Sequence, residues 1–156
     1  MPVEFESGDG GLRDLLELLK LASLVNRPML EEVAEPAGLS LNELRVLLSL
    51  SELGEAAAHE LVDRKGLHPM AVSRAVTGLR EAGAVVESRD EANRRRKKLT
   101  LTPTGRDTIA GLSAHVQGVA ERLFGSLSAT ERRAASRLVA KLIVQLEAWP
   151  HPDRRG

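Results

Sequence analysis

The spacing of apolar residues along the first third of the chain predicts helices. Leucines recur at helical intervals among charged residues at Leu12, Leu15, Leu16, Leu19 and Leu21. This spacing within 12–34 predicts a long, very apolar helix that is interrupted or kinked near Pro28. Ser40 stands three residues before Glu43, the spacing of a capping box, so a second helix is expected to begin there and to end at Gly54.

Two shorter helices follow and are joined by a brief turn. The alanine-rich stretch 55–65 predicts a third helix that ends at Gly66. Residues 69–82 predict a fourth helix, which opens on Pro69 in its first turn and stops at Gly83. Two short helices joined by a turn of about three or four residues are typical of a helix-turn-helix.

The period then changes from helical to alternating. Residues 84–88 and 97–101 are short β-like runs, and the charged stretch between them predicts a two-stranded hairpin with a loop of about eight residues. A long helix is expected to begin near Pro103, and a last helix after Ser128, which stands three residues before Glu131. The predicted fold is therefore mainly α with a small β-hairpin wing, a winged helix-turn-helix.

Long apolar helices flank this winged unit on both sides. We assign 37–102 to the winged helix-turn-helix domain, 11–36 to an N-terminal dimerisation helix and 103–149 to C-terminal dimerisation helices. The last helix carries an apolar stripe in register, formed by Ala135, Leu138, Leu142, Leu146 and Trp149. Apolar faces of this length exceed what one small winged domain can bury, so a second copy related by two-fold symmetry is expected to cover them.

Composition narrows the class of protein without naming a function. With 42% apolar residues the 156-residue chain can form a real core, and because it has two Phe, one Trp and no Tyr that core must be aliphatic. The absence of cysteine excludes disulfides and thiolate metal sites. The acidic N-terminus is unlike a signal peptide, and no apolar run approaches the roughly 20 residues that cross a bilayer, so we expect a soluble, cytoplasmic protein without a membrane partner.

Charge is distributed unevenly, although 22 basic and 22 acidic residues leave the chain neutral. Residues 1–63 carry a net charge of −9, residues 64–98 carry +6 and residues 99–156 carry +3. Six basic side chains stand against two acidic ones within 89–98. A basic patch on an acidic body is typical of a nucleic-acid-binding protein whose contact is confined to one face, with the acidic first 63 residues away from the phosphates; a merely solvated surface is the alternative.

The fourth predicted helix has two distinct stripes. Val72, Val76 and Leu79 lie on one of them and are expected to pack on the preceding helices. The other stripe is free to enter a major groove and consists of Met70, Ser73, Arg74 and Thr77. Arg74 can bind a guanine bidentately or clamp a phosphate. An ordinary amphipathic helix with a solvated face would show the same spacing, but the basic hairpin that follows favours DNA binding.

Alternation along the second strand of the hairpin assigns a face to each side chain. Leu99 and Leu101 are expected to face inward, together with Lys97. The residues expected to face outward are Arg96, Lys98 and Thr100. The basic outward face of this strand is therefore a candidate DNA contact.

The loop of the hairpin concentrates cationic side chains at its tip. Arg94 and Arg95 lie there, where a guanidinium can reach into a narrow minor groove of negative potential. Asp90 lies across the loop and is expected to pair with Arg94 and to position it. On this hypothesis, removing the Asp90 carboxylate weakens DNA binding although a negative charge is lost.

The segment from Gly66 to Arg106 resembles the helix-turn-helix and wing of the MarR family of transcriptional regulators. The family pattern of A-T-V-S-R, L-x-x-x-G-L-V-x-R, D-P-x-D-R-R and L-T-x-x-G is matched without gaps at Val72, Ser73, Arg74, Leu79, Gly83, Val85, Asp90, Arg94, Arg95, Leu101, Thr102 and Gly105. Glu91 replaces the wing proline, and Asn93, which can still hydrogen-bond the turn, replaces the second aspartate. Ala71 replaces a threonine, so the base preference of relatives is not carried over.

The resemblance implies a homodimer with intertwined first and last helices, whose two winged domains bind a pseudo-palindromic operator in double-stranded DNA. Repression is the favoured outcome, and activation stays open. With this pattern we assign DNA contacts to Met70, Ala71, Ser73, Arg74, Thr77, Arg94, Arg95, Arg96 and Lys98. Family members are often released by small ligands held between the dimer helices and the winged domain. Here such an effector would meet aliphatic walls from the first, second and fifth helices with Arg or His as a polar anchor, and an effector-free regulator stays open.

Other functions find less support in the sequence. His59 and Glu60 begin like a zinc-protease motif, but Asp63 occupies the position of the second histidine, so we predict no enzyme, catalytic residue or cofactor. No two histidines stand three or four residues apart, which disfavours a metal-responsive regulator. A winged helix used only for protein contacts is the remaining alternative, and a steep salt dependence would distinguish DNA binding from it.

Overall fold

The computed structural model describes residues 10–149, which form six α-helices and three short β-strands. The helices are α1 (Gly10–Pro28), α2 (Leu41–Leu53), α3 (Ala58–Lys65), α4 (Pro69–Glu81), α5 (Pro103–Phe124) and α6 (Ala129–Glu147). The strands are β1 (Glu55–Ala56), β2 (Val85–Arg89) and β3 (Lys97–Leu101). Most predicted elements are confirmed in type and order, and so is the mainly helical fold.

The helical path changes type where a break was expected. Directly after Pro28 the chain continues as a π-helix, Met29–Ala34, and then as a 3-10 turn, Glu35–Ala37. Proline has no N–H to donate within a helix, and its ring crowds the carbonyl of the preceding turn. The wider π-helical turn is therefore the form that the predicted interruption takes.

Side-chain caps set the starts of α2 and α6, as the capping-box spacings predicted. The Ser40 hydroxyl accepts from the Glu43 N–H at 3.1 Å, and the Glu43 carboxylate accepts from the Ser40 N–H at 2.7 Å. The same reciprocal pair joins Ser128 and Glu131, at 3.2 and 2.8 Å. Each box satisfies two N–H groups that a helix start leaves without intrahelical partners. Gly83, with a φ of 70°, turns the chain from α4 into β2 in the left-handed conformation that glycine adopts most easily.

The prediction of a helix across 55–65 is wrong at its first residues, because α3 begins only at Ala58. Glu55 and Ala56 form β1, which pairs antiparallel with β3 and places Ala56 opposite Leu99. The alanine run favours a helix locally, but the edge of β3 supplies backbone partners, and a two-residue strand leaves no periodic signal. The wing is therefore a three-stranded sheet in the order β1–β3–β2 and not a two-stranded hairpin.

Two aliphatic clusters form the core and meet on α2. The larger one joins α2, α3, α4 and the wing, and it contains Val46, Leu47, Leu50, Ala56, Leu61, Leu67, Val72, Ala75, Val76, Leu79, Ala84, Val85 and Leu99. The smaller one joins the π-helix, α2 and α5, and it contains Val33, Ala34, Leu44, Leu112 and Val119. Because α2 contributes to both, it attaches the winged unit rigidly to α5.

Two of the long helices remain largely uncovered by their own chain. No residue of α1 or α6 is buried. The large apolar side chains that they expose are Leu15, Leu16, Leu18, Leu19, Leu21, Leu24, Leu138, Val139, Leu142, Ile143, Val144 and Leu146, with Trp149 just beyond α6. No helix among residues 10–149 is long and apolar enough to cross a membrane. Apolar surface on this scale is typical of a subunit contact.

Candidate nucleic-acid interface

α4 presents a polar face to solvent because its apolar face is fixed in the core. Its buried residues are Val72, Ala75, Val76 and Leu79, which includes all three that the sequence assigned to packing. The residues assigned to the major groove lie on the outer side, with Ala71 half-buried and the others exposed: Met70, Ser73, Arg74 and Thr77. One rigid helix therefore displays all five candidate positions of the recognition helix.

The N-terminus of α4 lies beside that of α2. His68 caps α4, since its Nδ1 accepts a hydrogen bond from the Met70 N–H at 3.2 Å. A cleft of about 630 Å³ lies at the two helix starts, and its polar lining is Ser40, Asn42, Glu43, His68 and Arg74. Helix N-termini attract anions through N–H groups without intrahelical partners and the positive end of the helix dipole. Arg74 and Glu43 bring opposite charges to this cleft, so its attraction for a phosphate of a nucleic-acid backbone comes from the helix starts.

A larger cleft, of about 850 Å³, lies between α3, α4 and β2. Its apolar lining includes Val62, Val72 and Val76, and its polar lining is His59, Asp63, His68, Ser73, Thr77, Arg80 and Glu87. Ser73 and Thr77 thus belong both to this cleft and to the outer face of α4. A small molecule held there would occupy part of the surface assigned to DNA.

The effector site expected between the first, second and fifth helices coincides with the smaller core cluster. Val33, Leu44 and Leu112 pack together there. Two polar contacts flank this junction, one between Arg122 and Glu32 and one from Arg45 Nη2 to the Asn26 side-chain oxygen at 2.5 Å. Aliphatic side chains are thus present at the expected position, and they pack against one another.

The tip of the wing is shaped by Asn93 and displays two arginines. Asn93 Oδ1 accepts from the Arg95 N–H at 3.2 Å, and its backbone carbonyl accepts from the Arg96 N–H at 2.8 Å. This confirms that asparagine still hydrogen-bonds the turn. Arg94 and Arg95 are exposed at the tip, where the sequence placed them.

Asp90 has a different partner from the one predicted. Its Oδ1 accepts from the Ala92 N–H at 2.9 Å, and its Oδ2 lies 3.6 Å from Lys98 Nζ. Within residues 10–149 the expected ion pair with Arg94 is not formed, so that prediction is wrong. One oxygen of the carboxylate is thus held by the loop and the other lies beside β3. The Ala92 N–H first, and then the charge of Lys98, hold the pKa of Asp90 below its usual range.

Arg96 and Lys98 lie at the base of the wing against acidic side chains. Arg96 Nη2 is 2.6 Å from Glu60 Oε1, and Lys98 Nζ is 2.6 Å from Glu55 Oε1. Glu60 raises the pKa of Arg96, and the hydrogen bond to Glu55 raises the pKa of Lys98. Two of the acidic residues among the first 63, Glu55 and Glu60, thus lie directly against the basic wing, and their position relative to DNA phosphates stays a prediction. Strand alternation could not reveal this, because the acids come from β1 and α3.

Lys97 lies differently from the alternation prediction. The side chain of Lys97 is 65% exposed, whereas that of Lys98 is only 23% exposed. The Nζ of Lys97 lies 3.3 Å from Glu87 Oε1. Lys97 pairs in register with Arg89 at the outer end of the sheet, beyond the core that buries Leu99. The side chains of Leu99 and Leu101 on this face of β3 therefore contact the core, whereas that of Lys97 does not.

These contacts divide the basic run 89–98 into two groups. Arg96, Lys97 and Lys98 are paired with carboxylates. In the part of the chain that the structure describes, no carboxylate lies within 4.0 Å of the guanidinium groups of Arg89, Arg94 and Arg95, and the same holds for Arg74 on α4. The excess positive charge of this side of the molecule is thus concentrated on the wing tip and on α4. Among residues 10–149, no group of three His, Asp or Glu side chains is placed to hold a metal ion.

A helix-turn-helix whose exposed polar face adjoins a basic three-stranded wing defines the class of winged-helix proteins. The model of the MarR family matches residues 39–97. An HTH-type transcriptional repressor from Mycobacterium bovis is 30% identical over 125 residues, which cover 80% of this chain and 90% of that protein. This chain therefore belongs to the MarR family of winged helix-turn-helix transcriptional regulators.

Solved structures confirm the fold. A mutant of MarR from E. coli complexed with operator DNA has a TM-score of 0.67 at 22% identity, with 83% of this chain and 95% of that chain covered. An organohalide-sensing transcriptional regulator in its 2,4-dichlorophenol-bound form has a TM-score of 0.76 at 21% identity, with 98% and 90% covered.

Proposed function

We propose that this protein is a sequence-specific regulator that binds double-stranded DNA as a homodimer and represses transcription from a pseudo-palindromic operator. One observation carries the proposal: three exposed arginines without carboxylate partners, Arg74 on α4 and Arg94 and Arg95 at the wing tip, belong to one rigid winged unit. The similarity to HTH-type transcriptional repressors supports repression as the outcome.

Each element of the winged unit has a distinct role in this proposal. α4 enters the major groove, where Arg74 and Ser73 reach base edges or phosphates and Met70, Ala71 and Thr77 complete the contact surface. The helix starts of α2 and α4 hold a phosphate at the cleft that contains Ser40 and His68. Arg94 and Arg95 enter the adjacent minor groove, whose negative potential favours guanidinium groups.

The homodimer follows from the uncovered helices. The exposed leucines of α1 and the apolar stripe of α6, 11–36 and 103–149 in the chain, provide the dimerisation surface. Two winged domains related by a two-fold axis then contact half-sites about one helical turn apart, roughly 34–36 Å, so the operator repeats in inverted orientation.

Release by a small molecule is a further part of the proposal. The 850 Å³ cleft between α3, α4 and β2 has an apolar side and shares Ser73 and Thr77 with the DNA-contact surface. An effector bound there competes directly with DNA, whereas one bound between the π-helix, α2 and α5 must first separate the smaller core cluster. Valine substitution of Thr77 distinguishes the two sites, because it alters effector affinity only if the effector uses the cleft.

DNA binding is tested with a labelled fragment upstream of the protein's own gene, at two salt concentrations, by fluorescence anisotropy. We expect affinity to fall steeply with salt, since each phosphate contact releases counterions. The variant Arg94→Ala should weaken binding and lower the slope of log affinity against log salt by about 1 if it meets a phosphate. Arg137→Ala on α6 makes the same charge change away from the winged unit and should leave the slope unchanged. Absence of binding at low salt would favour a protein-interaction module instead.

A further inference from the structure

Five side chains form two neighbouring groups of ion pairs at the base of the wing. Glu55 of β1 and Asp90 both contact Lys98, while Glu60 of α3 contacts Arg96. Arg96 also stands in the electrostatic field of Asp90 and Glu55. We call Glu55, Glu60, Asp90, Arg96 and Lys98 the wing latch. Its residues come from three places in the chain, and it fastens β3 to the strand and helix that precede α4.

Glu60 has two partners, one for each carboxylate oxygen. Oε2 accepts from the Ala57 N–H at 2.7 Å and so caps the start of α3, while Oε1 holds Arg96 Nη2 at 2.6 Å. Ala57 has no side-chain oxygen, so only the glutamate half of a capping box exists at this helix. Both contacts lower the pKa of Glu60, that with Ala57 being the larger cause. Glu60 therefore links the wing to the first turn of α3.

The geometry of Arg96 is that of an internal contact. Its side chain is only 37% exposed, and its Nε is a buried atom without a hydrogen-bond partner. To reach a DNA phosphate, the guanidinium would have to leave Glu60 and expose the carboxylate beside an anion. Arg94 and Arg95 are exposed two and one positions earlier and have no such attachment.

We propose that Glu60 and Arg96 are positioning residues, which set the angle of the wing relative to α4 and so bring Arg94 and Arg95 into the minor groove. This inference rests on the proposed DNA-binding function and revises one DNA contact that was assigned from the sequence, because Arg96 then acts inside the protein. α3 packs on α4 through the larger core cluster. A contact between α3 and the wing therefore also fixes the position of the wing relative to α4. Glu55 and Asp90 do the same for Lys98, which lies two residues further along the chain.

Substitution of Glu60 by Gln tests the proposal, because glutamine retains one contact of Glu60 and loses the other. A glutamine can still cap α3 through its carbonyl oxygen, as glutamine does in capping boxes, but it cannot form the ion pair with Arg96. We expect Glu60→Gln to bind DNA on the order of tenfold more weakly, the size of one lost arginine contact. If Arg96 instead contacts DNA directly, Glu60→Gln should bind DNA more tightly, since Arg96 would be freed and a negative charge removed.

A matched control and a double variant sharpen this outcome. Glu52→Gln also removes one carboxylate from the winged unit, but its partner is Lys65 and it does not touch the wing, so its affinity should stay within about twofold of wild type. Arg96→Gln and the double variant Glu60→Gln/Arg96→Gln should both resemble Glu60→Gln, since the two residues act as one unit. Tighter binding by Glu60→Gln, or additive losses in the double variant, would overturn the proposal.

Amide hydrogen exchange of the DNA-free protein measures the latch independently of DNA. The Asp90 N–H donates to the Arg96 carbonyl at 2.9 Å where the wing loop closes. In Glu60→Gln this amide and the amide of Arg96 should exchange several-fold faster, while the core amides of α4 keep their wild-type rates. Unchanged exchange at both amides would refute the latch. If the wild-type protein bound no DNA, the proposed function would fail, and the exchange result would still decide whether Glu60 fixes the wing.

Discussion

Gly105 marks the point where α5 leaves the wing, and the absence of a side chain there lets two backbone segments touch. A Cβ at this position would overlap the carbonyl oxygen of Ala84 and lie 3.3 Å from Leu101 Cδ2. Thr102 completes the junction, with its hydroxyl donating to the Gly83 carbonyl at 2.6 Å and accepting from the Gly105 N–H at 3.1 Å. The glycine of the family's L-T-x-x-G pattern thus has a packing reason in this chain.

We expect Gly105→Ala to destabilise the protein by about 1–3 kcal/mol, because the added methyl group must displace backbone. Gly111 lies in the same helix, and a Cβ added there would meet no atom within 4 Å, so Gly111→Ala is the matched control. That change should stabilise the helix by roughly 0.5–1 kcal/mol, since alanine is the better helix former. Urea unfolding followed by circular dichroism measures both. Equal effects of the two substitutions would show that the contact with Ala84 does not matter.

The lowered pKa of Glu60 predicts how the latch depends on pH. A carboxylate with a lowered folded-state pKa stabilises the protein fully above its ordinary pKa, about 4.3 for glutamate. That contribution is lost as the pH falls from there through the lowered value. The difference in unfolding free energy between wild type and Glu60→Gln should therefore be constant from about pH 7 to 5 and shrink toward zero below about pH 4. A difference that grows on acidification would contradict the assignment.

At the scale of elements, α4, the proposed recognition helix, depends on a cap that the sequence did not reveal. His68 precedes Pro69, and its Nδ1 takes the place of the oxygen that Ser, Thr, Asp or Asn supplies at most helix starts. The first turn of α4 carries Met70 and Ala71, so the cap holds part of the proposed DNA surface. It also borders the cleft assigned to a phosphate.

His68→Ala should therefore lower stability by about 1 kcal/mol and weaken DNA binding, because the Met70 N–H loses its acceptor. His68→Asn is the matched variant, since asparagine is among the best N-cap residues and should preserve both properties. Chemical denaturation and fluorescence anisotropy on the same preparations give the two readouts. DNA binding that weakens equally in both variants, with stability kept in His68→Asn, would point instead to a direct contact of the imidazole with DNA.

The sequence predicted helices and caps well because their signals are local. The boxes at Ser40 and Ser128 and the stop at Gly83 depend on residues within a few positions of each other, and all three are confirmed. β1 escaped prediction because two residues have no period and their partner lies more than 40 positions away. The partners of Arg96 and Lys98 escaped for the same reason, since Glu60 and Glu55 reach the wing only in the folded chain.

The sequence did contain one partial signal for the latch. Glu60 stands at the third position of a helix whose preceding residue, Ala57, cannot return the capping contact. A carboxylate there is available for a second partner. Composition alone could not show that the partner is Arg96.

At the scale of the whole molecule, packing is concentrated in the centre of the chain. α2, α3, α4 and the wing share a continuous core, while α1 and α6 expose their apolar side chains. Large exposed apolar patches of this kind mark interaction sites. The proposed regulator therefore needs its second subunit both to bury these helices and to place two copies of α4 on one operator.

Leu142→Glu tests this dependence, since Leu142 lies in the middle of the exposed stripe of α6. We expect the wild type to have the mass of two chains by light scattering and the variant to shift toward one chain, because a carboxylate must be desolvated in the contact. Thr130→Glu adds the same charge at another exposed position of α6, about 120° away from Leu142 on the helix, and should stay dimeric. A single chain contacts only one of the two linked half-sites, so Leu142→Glu should bind the full operator about 100-fold or more weakly than wild type. A DNA fragment with a single half-site should bind wild type and variant with equal affinity. An α-helical signal equal to that of the wild type shows that the winged unit stays folded, and a wild-type protein with the mass of one chain would contradict the dimer.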